Sequence, residues 1–460
     1  MSQLISPTLE VTRVLLDRAR ATRFQFGSDT ALVAVQHMLL QTVDLFANLI
    51  AMGLEPKNIV ALGKIYSNND AVIRTLRDQG VTVLPSTMPE PGEFSAFFQR
   101  DVERLWQVAT EQFAGRRIKR ILVLDDGGVC ITNAPVEILR RYAVCGVEQT
   151  SQGVFLFEEK PPAFPVISWA RSAVKLQIGG AIFSQCFVEK LNSEFLHGRS
   201  ISGKQLGIIG LGSIGGSLAK LALREGIKVL FYDSHPDVHI PESLRGLIDR
   251  ANSLEELMLS CDYVAGCSGR NPFANQWPMK HRPGIKLLSA SGGDQEFRPI
   301  IKDLKVKPDF AIAPDTWTIT SDYGPSGPIE IAYLGFPYNF VSRSPEAVPT
   351  RIVQLETGGL LTALIQARLY LELGESAPRR ACLHRSLPKA QRFVYDEWLK
   401  TMNDHGIDLI ETFAYERELL KAAKHETWFA ENTEPTGNEH DHALETAMAR
   451  FVCSSCAAQC

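Results

Sequence analysis

The residue types and spacing that most plainly imply chemistry are Gly210, Gly212, Ser213, Ile214 and Gly215, with Asp233 closing the next apolar run. The first glycine permits a tight strand-to-helix turn, and the second lets the backbone approach a pyrophosphate. The third lets the helix pack against the strand it leaves. Free N–H groups in the first turn of that helix face phosphate charge. Asp233 can accept the hydroxyls of an adenosine ribose and would repel a 2′-phosphate, so the expected cofactor is NAD rather than NADP. Ser268 lies in a run of small residues at the end of another expected strand, where a ligand can approach such a sheet.

A second group carries acid/base types. His37 stands in an apolar stretch, Asp126 in Asp125-Asp126-Gly127-Gly128 after a strand, and Lys175 in a long helical pattern. Each has a plainer explanation. A lone histidine is often a hydrogen-bonded core residue, an Asp-Gly run a turn, and a helical lysine a solvated one. Cys453, Cys456 and Cys460 have ligand types for zinc or an iron–sulfur cluster, but the set is incomplete, and unpaired thiols are the simpler expectation.

The elements that must position these groups alternate between strand and helix patterns. The fold class expected is α/β: a Rossmann-like NAD-binding domain inserted next to a second α/β substrate domain, plus a helical C-terminal tail. The divisions are a substrate-binding domain over 1–170, an interdomain helix over 171–198 and the NAD-binding domain over 199–342. A helix over 343–373 returns to the substrate domain, and a helical extension with a cysteine-containing tail covers 374–460. In detail, residues 31–52 read as one apolar helix carrying His37 and Gln41, and 171–197 as a helix broken at Gly179-Gly180. Residues 205–209, 228–232 and 309–313 read as strands, Ser253 with Glu256 as a capping box, and 431–441 as an acidic linker.

The chain has 460 residues, enough for two or three domains, and a formal net charge of −4 at pH 7. That balance favours neither a nucleic-acid partner nor a membrane surface. The N-terminal residues lack a signal-peptide core, no apolar run is long enough to span a bilayer, and the nine cysteines are expected to be reduced. A cytoplasmic protein is expected.

Beyond these readings, several blocks resemble the S-adenosylhomocysteine hydrolase (adenosylhomocysteinase) family over roughly residues 25–370. They are His37-Met38, Gln41-Thr42, Leu124-Asp125-Asp126-Gly127-Gly128 and Glu148-Gln149-Thr150-Ser151-Gln152-Gly153. Pro165-Val166-Ile167 leading to Ser172-Ala173-Val174-Lys175 completes the set, with the glycine fingerprint at the expected remove. The resemblance implies tightly held NAD that transiently oxidises a nucleoside hydroxyl, so that a neighbouring leaving group is eliminated and water added. It makes Lys175, His37 and Asp126 catalytic, Gln149 substrate-binding, and Thr150 part of the cofactor site with Ser268. It also implies a nucleoside-like small-molecule substrate and a homo-oligomer. Gly179-Gly180 stands where that family has Asp-Asn, Gln149 where it has a carboxylate, and Gly293 where it has a histidine. Adenosylhomocysteine itself is therefore expected to be a poor substrate.

Two other functions fit the same residues. One is a catalytically silent NAD-binding relative acting as a regulator or partner subunit. The other is an NAD-dependent dehydrogenase of the 2-hydroxyacid type, which would need an Arg/His pair beside the cofactor; residues 289–293 supply neither.

Overall fold

The computed structural model describes residues 9–87, 90, 92–194, 203–303, 317–322, 326–341, 344–346, 349–373, 382–425, 427–433 and 442–453. In chain order the first strands are β1 (Thr30–Met38), β2 (Ile59–Asn68), β3 (Thr82–Leu84), β4 (Arg120–Asp125), β5 (Ala143–Glu148) and β6 (Val166–Ser168). A second set follows: β7 (Gln205–Ile209), β8 (Lys228–Tyr232), β9 (Asp249–Arg250), β10 (Tyr263–Gly266), β11 (Ile285–Ser289), β12 (Ile319–Asp322) and β13 (Pro328–Ile331). The last, β14 (Leu383–Arg385), returns to the first sheet and pairs in parallel with β6.

Among the described residues these strands make two seven-stranded sheets, ordered β14-β6-β5-β4-β1-β2-β3 and β12-β13-β11-β10-β7-β8-β9. Only the β12–β13 pair is antiparallel. In each sheet the order runs outward in both directions from one adjacent pair, β1 with β4 and β7 with β10. Chains leaving the carboxyl ends of such a pair turn to opposite faces of the sheet, which opens a crevice between them. The molecule therefore has two equivalent crevices, and the chain is an α/β protein with a Rossmann-like domain beside a second α/β domain.

The structure corrects the reading of residues 31–52 as one helix. Thr30–Met38 is the central strand β1, and only Leu40–Ala51 is helical. Alternate residues of β1 enter different cores: Ala31, Val33 and Val35 pack on one face, and Leu32, Ala34 and Met38 on the other. A strand buried on both faces shows no polar alternation, so it merged in sequence with the apolar helix after it. The expected break at Gly179-Gly180 is a change of helix type, from a π-helical turn over Val174–Gly179 to the α-helix Gly180–Glu194. The expected strand over 309–313, most of the linker, Cys456 and Cys460 lie outside the described residues.

The long apolar helix Thr350–Leu373 packs on the first sheet and on the helices Glu10–Thr22 and Pro388–Asp404. From this C-terminal part Glu416, 3% exposed, reaches the other domain. There it accepts from Ser217 Oγ (2.9 Å) and Lys220 Nζ (2.8 Å) on the helix Ser213–Arg224. Beside it the Tyr415 hydroxyl donates to the Ala181 carbonyl at 2.9 Å. No helix among the described residues is long and apolar enough to cross a membrane.

Candidate functional site

Gly210 follows β7 with φ +91°, a backbone conformation that favours glycine, and any side chain there would meet Ser268 Cα at 2.7 Å. A Cβ at Gly215 would collide with the Gly210 carbonyl oxygen, whereas one at Gly212 would meet nothing within 4 Å. The turn is thus tight where strand and helix meet and open where a phosphate would approach, as a dinucleotide requires. Asp233, at the end of β8, accepts from Leu211 N and His235 N, both at 2.9 Å, which fixes its carboxylate beside the glycine turn. Gly210, Gly212, Ile214, Gly215 and Asp233 are the residues that would hold the cofactor.

Two expected cofactor contacts have other work. The Ser213 hydroxyl donates to the Leu176 carbonyl, leaving the backbone N–H groups of the turn as its contribution. Thr150 Oγ1 donates to Glu148 Oε1 at 2.6 Å and accepts from Gly153 N at 3.0 Å, capping the helix Ser151–Glu159. Ser268 stands at the β7/β10 crevice, its hydroxyl 3.1 Å from both oxygens of buried Glu296. Burial pushes the Glu296 carboxyl up to about 7. Glu296 also accepts from Ser291 Oγ and Gly269 N, each at 2.7 Å, and so ties together the turns after β10 and β11.

The other crevice, between β1 and β4, holds the acid/base group. His37 ends β1 and Asp126 follows β4; His37 Nε2 lies 3.3 Å from Asp126 Oδ2. His37 Nδ1 faces Ser67 Oγ at 2.7 Å. Lys64, on β2 and fully buried, pairs with the other Asp126 oxygen, and the Gln149 amide donates to Asp126 as well. Gln149 in turn accepts from Gln36 Nε2 at 3.0 Å, so it holds Asp126 in place.

Burial, with the charges of Lys64 and Lys175, lowers the His37 pKa despite the opposing pull of Asp126. Burial pushes Asp126 up, but Lys64 and His37 outweigh it and keep it ionised far below the carboxylate range. The group is therefore a neutral imidazole against a carboxylate whose charge a lysine balances.

Lys175 reaches this place from the interdomain turn. Its ammonium is 3.2 Å from Glu356 Oε2 and 4.5 Å from the centre of the Phe183 ring. Phe183 packs on Phe340 at 5.6 Å, and Phe340 lies flat on His37, with centroids 4.2 Å apart and an interplanar angle of 1°. Gly179 leaves room for Glu356, whose Oε1 would be 2.7 Å from a Cβ there; a Cβ at Gly180 would be 2.8 Å from the Ser213 carbonyl oxygen. The glycine pair thus lets the interdomain turn touch both the long helix and the glycine turn.

The sequence reading missed Lys64 and Glu356. Lys64 has a signal in the sequence, since a lysine inside the apolar run 59–66 must be buried with a partner. Glu356 sits at the start of an apolar helix and offers only a weak one.

Residues 183–272 match the family model of the D-isomer specific 2-hydroxyacid dehydrogenase NAD binding domain. An uncharacterized protein of Mycobacterium tuberculosis is 30% identical over 328 residues, covering 71% of this chain and 62% of that protein, so the chain spans less than two thirds of this relative. D-3-phosphoglycerate dehydrogenase of Haemophilus influenzae is 34% identical over 104 residues, 21% of this chain and 24% of the enzyme. A putative 2-hydroxyacid dehydrogenase of Staphylococcus saprophyticus is 35% identical over 105 residues, 22% of this chain and 32% of its own.

The cofactor is NAD, and its domain is of the D-isomer 2-hydroxyacid dehydrogenase type. This match corrects the resemblance to the adenosylhomocysteinases, and with it the expected hydrolase chemistry and nucleoside substrate. The glycine fingerprint belongs to NAD binders at large. The other blocks are turns and helix starts at strand ends, which any doubly wound sheet carrying an acid at its crevice needs.

Proposed function

We propose that this chain is an NAD-dependent oxidoreductase of the 2-hydroxyacid dehydrogenase type, interconverting a hydroxyl and a carbonyl on a small substrate. The observation that carries this reading is the His37–Asp126 pair at the crevice of one sheet, in a chain whose other sheet binds NAD. Bound NAD supplies the hydride acceptor. The chain must then take the hydroxyl proton. With Nε2–H donated to Asp126, His37 presents Nδ1 as the acceptor, on the side now facing Ser67. Protonation there creates an imidazolium that Asp126 stabilises, which is the usual arrangement of a general base with an orienting acid. In this reading Lys175 donates to the substrate oxygen, oriented by Glu356, whose Oε2 lies 3.2 Å from its ammonium.

The test is NADH formation by the purified chain offered NAD with 2-hydroxy acids, 3-phosphoglycerate and simple secondary alcohols. His37→Ala is expected to lower kcat by about 10²–10⁴-fold with NAD affinity unchanged. A second reading, the silent NAD-binding relative, is favoured by Phe340, which covers the ring that would act. Failure of every alcohol to reduce NAD, in protein that binds NAD, would decide for it.

A further inference from the structure

We propose that Ser67, rather than His37 itself, meets the substrate hydroxyl and passes its proton on to His37. The chain sets Asp126, His37 and Ser67 in a row: His37 Nε2 lies 3.3 Å from Asp126 Oδ2, and Nδ1 lies 2.7 Å from Ser67 Oγ. Both ring nitrogens are thus taken. Phe340 is stacked on the same ring at 4.2 Å, and the Tyr66 ring approaches it at 5.8 Å. A bulge builds this row. β1 pairs with β2 as far as Gln36 with Gly63, and the next pair is Met38 with Asn68, so Lys64 to Ser67 lie outside this ladder. Gly63 permits the excursion, since a Cβ there would collide with the Asn68 side chain. Bulges re-aim side chains and are common beside active sites. This one sends Lys64 to Asp126, Tyr66 to the imidazole and Ser67 to Nδ1, at the carboxyl end of a parallel sheet, where ligands approach.

A serine hydroxyl has one proton to give and two lone pairs that accept. With the Nε2 proton donated to Asp126, Nδ1 is an acceptor, so Ser67 gives its proton there rather than to the Lys64 carbonyl 3.3 Å away. Among the described residues nothing donates to Ser67 Oγ, which leaves a lone pair for a substrate hydroxyl. In the transfer, the substrate O–H bond breaks and its proton forms a new O–H bond on Ser67. The old Ser67 O–H bond breaks at the same time and its proton forms Nδ1–H, giving an imidazolium that faces Asp126. The electron pair left on the substrate oxygen becomes the second carbonyl bond as hydride leaves the neighbouring carbon for NAD. One intervening hydroxyl keeps each proton transfer within hydrogen-bond reach. The inference rests on the oxidoreductase reading only in naming the substrate hydroxyl as an alcohol being oxidised.

The test uses the full chain and two variants: Ser67→Ala, which breaks the path, and Ser67→Thr, which keeps a hydroxyl on a side chain that suits a strand. Carbethoxylation of His37 by diethyl pyrocarbonate, read by peptide mass spectrometry, needs no turnover. It should run about tenfold faster in Ser67→Ala, where Nδ1 loses its hydrogen bond, and at the parent rate in Ser67→Thr. An unchanged rate in folded Ser67→Ala overturns the proposal, because Ser67 then does not stand between the cleft and the base. With NAD and the 2-hydroxy acid or secondary alcohol that the parent chain oxidises best, Ser67→Ala should lower kcat about tenfold or more. KM and NAD affinity should stay unchanged, and Ser67→Thr should keep most of the parent kcat. An undiminished kcat in Ser67→Ala, or equal losses in both variants, overturns the relay and leaves the oxidoreductase reading standing. Faster carbethoxylation in Ser67→Ala, with no alcohol oxidised by the parent chain, leaves Ser67 as the group in front of the base and removes the oxidoreductase reading.

Discussion

Burial is the larger cause that lowers the His37 pKa, and Lys64, which carries its charge where water does not reach, adds to it. The charged and titratable groups around the imidazole are Asp126 after β4, Lys64 and Tyr66 on β2, and Lys175 on the interdomain turn; Phe340 covers its remaining face. Asp126 pulls the histidine toward protonation, and the two lysines oppose it. Lys64→Met removes one opponent and leaves Asp126 with His37 as its nearest cation. The expected outcome is a rise in the His37 pKa, read from its ring resonances by NMR. A stability loss of about 3–5 kcal/mol should accompany it, since a buried charge loses its partner. An unmoved histidine titration in folded Lys64→Met would show that the lysine only holds Asp126 in place. Of this group the sequence made His37, Asp126 and Lys175 legible as chemical types. It did not show which of them touch, because contacts across a crevice depend on strand order. Gln149, expected to hold substrate, also donates to Asp126.

At the scale of elements, β4 and β5 lie side by side with Asp125 opposite Glu148 in the register. Both carboxyls are fully buried, and each has one oxygen without a described partner, Asp125 Oδ1 and Glu148 Oε2. Burial pushes Asp125 up to about 7, and burial with the neighbouring Asp125 raises Glu148 well above its ordinary value. The folded chain therefore keeps protons that the unfolded chain releases near pH 4. The contribution to stability is full below that pH and is lost as pH rises through about 7. Asp126 acts with the opposite sign, its stabilisation being lost as acid protonates it. Asp125→Asn can keep the acceptor for Ile131 N (2.8 Å) while removing the titration. Denaturant midpoints should then fall less in the variant than in the parent chain between about pH 5 and about pH 8. Equal slopes in the two would place the retained proton elsewhere. The strands around this pair were legible from their apolar runs and turns. β1 was not, because a central strand buried on both faces lacks the alternation that marks one.

For the whole molecule, Glu416 is the point where the C-terminal part grips the NAD domain. Glu416→Ala removes the acceptor from Ser217 and Lys220. The expected loss is about 1–3 kcal/mol, concentrated in faster amide exchange over the helix Ser213–Arg224. Exchange that rises evenly through both domains would show that this contact does not set how the domains are held. That the C-terminal part is helical was legible from its periodicity. Its attachment to both domains was not, since a single buried glutamate in a charged stretch carries no pattern.

The return of β14 to the first sheet has a consequence for the order in which a ribosome releases the chain. β1 to β6 have all emerged while the whole NAD domain and the long helix Thr350–Leu373 are still to be made. Until residues 383–385 follow, β6 is an open edge, its N–H and C=O groups free to pair with any extended segment nearby. The last partner of the first sheet is thus among the later parts of the chain to be synthesised. A nascent chain stalled within the NAD domain would present that edge to its neighbours on a polysome, and truncation there should favour aggregation over a soluble first domain.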